Sequence, residues 1–252
     1  MLWASRPIHE TLDRVRTLAR PRNDPGQYDD LAAEWWRPGG VFAMLHWIAE
    51  ARARLIPPAS VDAAVLVDIG CGAGLLAPHL AGKGYRHIGV DVTRSALVQA
   101  SAHGVRAIQA DAGRLPLPDA IADVVSAGEI LEHVPNRTQV VAEACRVLKP
   151  GGVLVLDTLN ATAISTFVAV TVGERVPGWA PPGLHDPNLF VPRRVLIDEC
   201  ATHGVRLATR GLRPAIARMV RWLITRRGWV PMVPTRSTAV LYQGIGVKTE
   251  ES

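Results

Sequence analysis

Apolar residues in this chain fall into short blocks separated by stretches rich in glycine, proline and charge. The blocks alternate between two periods. Ala64 to Ile69, HIGVD ending at Asp91, Val105 to Gln109, Ala122 to Ala127 and Val153 to Thr158 read as buried strands. Between them the apolar spacing turns helical, predicting helices that run to about Lys83, start near Ser95, and span Arg137 to Leu148, with Lys149 to Gly152 as a turn. Regular alternation of strand and helix predicts a parallel sheet whose right-handed crossovers cover both faces. Pro192 to His203 adds a helix, and Val205 to Leu212 and Ser237 to Val247 add strands. The expected fold is therefore α/β, a doubly wound, seven-stranded, mostly parallel sheet.

The flanks are less regular. Residues 1–27 read as an appendage with an arginine-rich helix over Ile8 to Ala19. From Tyr28 to Leu55 the residues Leu31, Trp35, Trp36, Phe42, Leu45, Trp47, Ile48 and Leu55 suggest two helices split by Arg37, Pro38, Gly39 and Gly40. Residues 28–62 would then be a helical lid or a pair packed on the sheet, and Trp35 and Trp36 could wall off a ring. The core domain spans 63–247, with inserts at about 160–191 and 213–236, and 248–252 form a tail. Ala161 to Val172 is apolar for only about twelve residues, short of the roughly 18 that cross a bilayer. In 213–236, Arg218, Arg221, Arg226 and Arg227 alternate with Met219, Val220, Trp222, Leu223, Ile224 and Trp229. That composition suits a helix lying in a membrane interface or one packed on the domain, so a peripheral membrane contact is one expectation.

Composition narrows the class. The chain has 252 residues, 48% of them apolar, enough for one large domain. Lys and Arg exceed Asp and Glu by 28 to 23, a net charge of +5, and most of the basic residues are arginine. Cys71, Cys145 and Cys200 are odd in number and lack metal spacing, which argues for a reducing, cytoplasmic setting. No nucleic-acid partner is expected, because no recognisable nucleic-acid module accompanies the charge.

The chemistry concentrates at strand ends. AVLVDIGCGAGL runs from a buried strand into Gly70, Cys71, Gly72 and Gly74, a turn whose bare backbone admits a nucleoside and whose following helix offers unsatisfied N–H groups. Asp91 lies seventeen residues beyond Gly74, where a carboxylate at the second strand's tip, next to Val92, can grip a ribose. Asp111, beside Ala112, follows the third strand, where an adenine edge would lie. A dinucleotide and S-adenosylmethionine both suit such a turn. Asp68, two residues before Gly70, would repel a pyrophosphate and suits a cofactor carrying an ammonium and a sulfonium. After the fourth strand, GEILEHVPN puts Glu129, Glu132 and His133 at i, i+3 and i+4, so one helical turn would gather them on one side.

Together VDIGCGAG, GVD, the Asp111–Ala112 pair and LKPGG resemble the class I S-adenosylmethionine-dependent methyltransferases, which have a Rossmann-like fold. YDDLAAEWWRPGGVFAMLHWI, GEILEHVPN, LNATAISTF and GLHDPNLFVPRRVL look more narrowly like the O-methyltransferase family of ubiquinone biosynthesis, over roughly Tyr28 to Gly204. The resemblance implies that Gly70 and Asp91 bind the cofactor, that Gly128 and Glu129 adjoin it, and that Arg52, or the nearby Arg54, reaches its carboxylate. It also implies that Glu129, Glu132 and His133 can hold a divalent ion, in some members Mg2+. The expected reaction is methyl transfer to a hydroxyl of a small lipophilic aromatic substrate. Either a metal on the cluster lowers the pKa of a phenol, near ~10, or His133 removes its proton, with Glu132 beside it as a second catalytic candidate. A polyketide phenol or a sugar is an alternative acceptor, and a non-catalytic membrane-docking module is a further one.

Overall fold

Both faces of the strand Val65–Ile69 (β1) are covered, which is why its sequence is an apolar run broken only by Asp68. Val65, Val67 and Ile69 share a core with Val140, Val141, Ala144 and Cys145 of one helix and Leu196 and Cys200 of another. Leu66 packs on the opposite face with Ala53, Ile56, Leu76 and Leu80. Side chains alternate along a strand, so Asp68 shares Leu66's side, facing the N-terminal helices.

The chain is described here from a computed structural model over residues 20–176 and 180–249. After β1 come the strands Arg86–Asp91 (β2), Arg106–Gln109 (β3), Ala122–Gly128 (β4), Leu148–Leu159 (β5), Val205–Pro214 (β6), Met232–Thr235 (β7) and Leu241–Lys248 (β8). The α-helices are Gly26–Asp30 (α1), Ala43–Ala53 (α2), Ala77–Leu80 (α3), Arg94–Ala102 (α4), Arg137–Val147 (α5), Ala163–Thr166 (α6), Arg193–Thr202 (α7) and Ile216–Thr225 (α8). The strands form one sheet in the order β3-β2-β1-β4-β5-β8-β6-β7. β1 to β5 are mutually parallel, while β8 runs antiparallel to both β5 and β6. The order reverses between β1 and β4, and a crevice opens there beyond the strands' carboxyl ends. The glycine turn follows β1 and the acidic motif follows β4, so topology alone brings them together.

The sheet has eight strands, not the expected seven. The added strand, β7, pairs antiparallel with β6 at the sheet edge. This stretch falls within the insert expected at 213–236; Pro234 lies inside the strand, where an edge position tolerates proline. β5 starts at Leu148, which pairs with Ala122 before the register shifts, so the expected turn at Lys149 to Gly152 is an irregular start of the strand. The helix expected to reach Lys83 is only α3. The arginine-rich helix expected over Ile8 to Ala19 lies outside the described residues, as does the end of the tail.

The N-terminal stretch forms α1, a 3-10 turn at Ala32–Glu34, and α2. Leu31, Trp35, Val41, Phe42 and Ala49 pack on Ala73 and Leu75 of the glycine turn and on Ala96 of α4. The apolar run after β5 becomes α6, capped by the Thr162 hydroxyl on the Ser165 N–H, and then a π-helical segment at Phe167–Val172. Trp222 of α8 is 1% exposed and meets Trp47 of α2 edge to face, with ring centroids 5.1 Å apart. Replacing a buried aromatic by alanine removes transfer energy and leaves a cavity. Trp222→Ala should therefore lower unfolding free energy by about 3–5 kcal/mol in urea titrations.

Candidate active site

Beyond β1 the chain turns through Gly70, Gly72 and Gly74, at φ of 70°, 51° and 79°, a region open to glycine at little cost. The N–H groups of Gly70 and Cys71 both donate to the Val90 carbonyl, and that of Gly72 to Asp91 Oδ2 at 2.9 Å. These turn donors are thus taken by β2 rather than offered to an anion. A turn closed on itself beside carboxylates suits a cation.

The turn forms one wall of a cavity of about 340 Å3. Of the residues expected to bind the cofactor, Arg52, Asp68, Gly70, Cys71, Gly72, Asp91, Val92, Asp111, Ala112, Gly128 and Glu129 all line it. Gly74 does not. A Cβ there would lie 3.0 Å from the Ala100 Cα, so this glycine serves close packing of the turn on α4. Trp35 lines the cavity, its ring stacked on Phe42 at 4.2 Å and lying over Gly72. Trp36 instead donates from its indole to the Ala73 carbonyl at 3.1 Å and stacks on His103.

The acidic groups are placed for a positively charged ligand. Asp68 is 2% exposed, and its Oδ1 has no hydrogen-bond partner. An orphaned buried carboxylate oxygen is costly unless something fills the role. Asp91 accepts from the N–H groups of Gly72 and Thr93, and burial still holds its carboxyl above the usual range. Each of its oxygens keeps a further acceptor site, which ribose hydroxyls can use. Asp111 accepts from the Gly113 N–H at 2.8 Å. Glu129 has a φ of 52° and a buried Oε1 without a partner. Burial, and then the nearby Glu132 and Asp157, push its carboxyl well above the usual range.

One cation stands among these groups. Arg52 forms two parallel hydrogen bonds to Asp157, from Nε at 2.8 Å and from Nη2 at 2.9 Å, and Asp157 is fully buried. Burial acts against the guanidinium charge, but Asp157, with Asp68 and Glu129 beyond it, more than restores it. Nη1 makes no hydrogen bond among the described residues, which leaves it for a ligand carboxylate. The same guanidinium explains Gly128, since a Cβ there would lie 1.7 Å from the Arg52 Cζ. Arg54 pairs with Glu50 on the exposed side of α2 and is not part of the cavity wall.

The expected Glu129–Glu132–His133 metal set does not form. The segment is a 3-10 turn over Leu131–His133, and Glu129 precedes it in a left-handed conformation, so the three side chains do not share a helical face. Glu132 is fully buried, its Oε2 accepting from the Thr158 hydroxyl at 2.8 Å and its Oε1 from the Leu159 N–H at 3.2 Å. Its carboxyl, pushed up to about 7 by burial, pins the end of β5 rather than facing the cavity. Among the described residues no group of three His, Cys, Asp or Glu side chains is placed to hold a metal ion. As placed, these residues therefore do not fit Mg2+, and Glu132, held by Thr158 and Leu159, is not part of the cavity wall.

His133 does face the cavity. Its Nδ1 lies 2.6 Å from Asn23 Oδ1, while Asn23 Nδ2 donates to the His133 carbonyl at 2.8 Å. Burial, reinforced by His185, lowers the imidazole pKa to about 3. His185 stacks on His133 with centroids 5.6 Å apart and is itself lowered to about 4 by burial and by Arg22. Neither Asn23 nor His185 was singled out as a site residue. GLHDPNLF carried the only signal for His185, and RNDP read as a mere turn.

Comparison with known proteins agrees with this geometry. Residues 67–156 match the family model described as a methyltransferase domain. The ubiquinone biosynthesis O-methyltransferase of Burkholderia thailandensis is 35% identical over 190 residues, covering 72% of this chain and 82% of that protein. Its namesake from Idiomarina loihiensis is 33% identical over 177 residues, covering 66% and 72%. Among solved structures, a Thermotoga maritima S-adenosylmethionine-dependent methyltransferase, described as a possible histamine N-methyltransferase, superposes with a TM-score of 0.62 at 16% identity, covering 96% of this chain and all of that one. The [4+2]-cyclase SpnF superposes at 0.56 with 17% identity, covering 97% and 94%, so the likeness at this level is one of fold.

Removing one member of a buried ion pair strands the other charge at a cost of about 3–5 kcal/mol, whereas replacing both by apolar residues is often neutral. Asp157→Asn should accordingly destabilise the fold by about that much in urea unfolding, with Arg52→Met/Asp157→Leu recovering most of the loss.

Proposed function

As this chain belongs to the S-adenosylmethionine-dependent O-methyltransferases of ubiquinone biosynthesis, we propose that its acceptor is a small lipophilic phenol or catechol and that His133 takes the acceptor's proton. The observation that carries this reading is the neutral imidazole on the cavity wall, with Nδ1 bound to Asn23 and Nε2 without a partner among the described residues. Leu45, Ile130, Val134, Pro135 and Leu184 supply the apolar remainder of the lining, which suits an aromatic ring.

The cofactor supplies a methyl carbon on a positively charged sulfur, open to in-line attack by an oxygen nucleophile. When bound, the cofactor's ribose hydroxyls would be held by Asp91, its adenine edge by Asp111 and its terminal carboxylate by Arg52 Nη1. Asp68 and Glu129, each with an orphaned buried oxygen, would receive its ammonium. A cation there restores the charge on Glu129 that burial disfavours. His133 accepts the phenolic proton at Nε2 as the oxygen commits to attack, and the walls hold the reactants at near-attack distance. An imidazolium is disfavoured in this buried setting, so transfer of the proton is coupled to methyl transfer rather than preceding it. No step requires a metal ion.

The arginine-rich insert supports a membrane reading for delivery of such a lipophilic acceptor. Met219 and Trp222 of α8 are buried, whereas Ile216, Val220 and Ile224, at four-residue spacing, are 65%, 50% and 78% exposed. These three form an apolar stripe beyond what the core uses, and Arg218 and Arg221 flank it on the solvent side. Residues 213–236 contain six arginines and no acidic residue, a charge complementary to anionic lipid. No helix among the described residues is long and apolar enough to cross a membrane, so the contact is peripheral. The core beneath α8 includes Phe190, whose ring lies 6.2 Å from that of His185 on the cavity wall.

His133→Gln should lower kcat on a prenylated catechol by about 10²-fold or more while S-adenosylhomocysteine affinity by calorimetry is retained; an unchanged kcat removes the base. Asp91→Ala should abolish that affinity. Turnover should survive exhaustive chelation, and activity restored only by added Mg2+ would contradict the metal-free route. In flotation assays with phosphatidylglycerol-rich vesicles, the protein should float at low salt, and Ile216→Ser/Val220→Ser/Ile224→Ser should not.

A further inference from the structure

We propose that Asn23, carried on a strap of residues 20–25 that lies across the cavity, is the positioning residue that sets the tautomer of His133. This rests on the reading of His133 as the base.

The assignment follows from two reciprocal hydrogen bonds. The His133 carbonyl can only accept, so the Asn23 group 2.8 Å from it is the amide Nδ2. The other end of the amide is then a carbonyl oxygen, and the ring nitrogen 2.6 Å from it must carry a hydrogen. A neutral imidazole has one N–H, so protonation of Nδ1 leaves Nε2 with its lone pair. Neither Asp nor Ser has an amide's paired donor and acceptor, and a longer Gln would not sit at the same reach. Asn also tolerates the left-handed backbone found here, where φ is 59°.

Asn23 is held from the far side of the cavity. Its N–H donates to the Gly183 carbonyl at 3.0 Å. Arg22 makes two parallel hydrogen bonds to Glu174, each 2.9 Å, and donates to the His185 carbonyl. Glu174 in turn accepts from the Gly183 N–H at 3.0 Å. One short strap thus joins the acidic motif after β4 to the insert after β5. Every partner in this arrangement lies more than 100 residues from it in the chain, so the base and the acceptor wall are assembled together.

The groups facing His133 are few. His185 stacks on it, Tyr28 meets it edge-on at 6.3 Å, Glu132 shares its turn, and Glu129 lies just before that turn. Glu174 lies 3.9 Å from His185 Nδ1, and Arg22 balances it. Asn23 is neutral, and it is the one hydrogen-bond partner of the His133 ring among the described residues. Placing a carboxylate at position 23 favours the imidazolium, which cannot act as a base. Activity should therefore fall on the acid side of a limb that the wild type does not show at moderate pH.

The test combines 15N NMR of histidine-labelled full-length protein, with the His133 signal assigned by loss in His133→Gln, and pH profiles of kcat/KM on a prenylated catechol. In the wild type His133 should be the Nδ1–H tautomer, and kcat/KM should show no imidazole limb between about pH 5 and 8. Asn23→Ala should mix the tautomers and lower kcat about tenfold with the cofactor KM unchanged. Asn23→Asp, nearly isosteric, should keep the Nδ1–H tautomer but bring an acid limb into that range, a change a merely structural role would not cause. An Nε2–H tautomer in the wild type overturns the proposal. So does an Asn23→Asp profile that matches the wild type. Full turnover by His133→Gln, with the tautomer still following residue 23, would instead remove the base while leaving the Asn23–His133 relation intact.

Discussion

The buried pair between Arg52 and Asp157 is the constraint around which the site closes. Asp157 has no exposure at all, and Arg52 covers Gly128 so closely that no side chain fits beneath it. Two charges taken out of water repay their desolvation only with good geometry, and here two parallel bonds supply it. Net stability is not the main result of such a pair. What it secures is placement: α2 is clamped to β5, and a cation is held within the field of Asp68 and Glu129.

Around that clamp the cavity divides by origin. The cofactor half is built from strand tips at the reversal of sheet order, where β1, β2, β3 and β4 each deliver one acidic position or glycine by topology. The acceptor half comes from residues 20–25, the turn at 131–133 and the insert containing His185. Loops of this second kind change readily without disturbing a sheet.

Legibility followed the same line. Asp68, Gly70, Gly72, Asp91 and Asp111 could be found because each is fixed by local spacing after a strand, and local spacing is what a sequence displays. Gly74 shares that spacing but serves packing, a distinction visible only once α4 is in place. As a shared metal set Glu129, Glu132 and His133 misled, because the i, i+3, i+4 pattern presumes an α-helix. The backbone instead takes a left-handed residue and a 3-10 turn, sending Glu132 inward to β5. Asn23 and His185 were illegible for a different reason, since their roles depend on partners more than 50 residues away. β7 lay unread inside the 213–236 insert, and its Pro234 is tolerated because the strand is at the sheet edge.

The strap has a consequence for the order in which the molecule assembles. Asn23 meets His133 across 110 residues and Arg22 meets Glu174 across 152. Contacts of such separation carry a large loop-closure cost and form once the elements between them are in place. The strap precedes both partners in the sequence and so leaves the ribosome before either exists. Its contacts with His133, Glu174 and Gly183 need β4, β5 and the insert in place, so the wall beside the base is complete only when all of these elements are assembled.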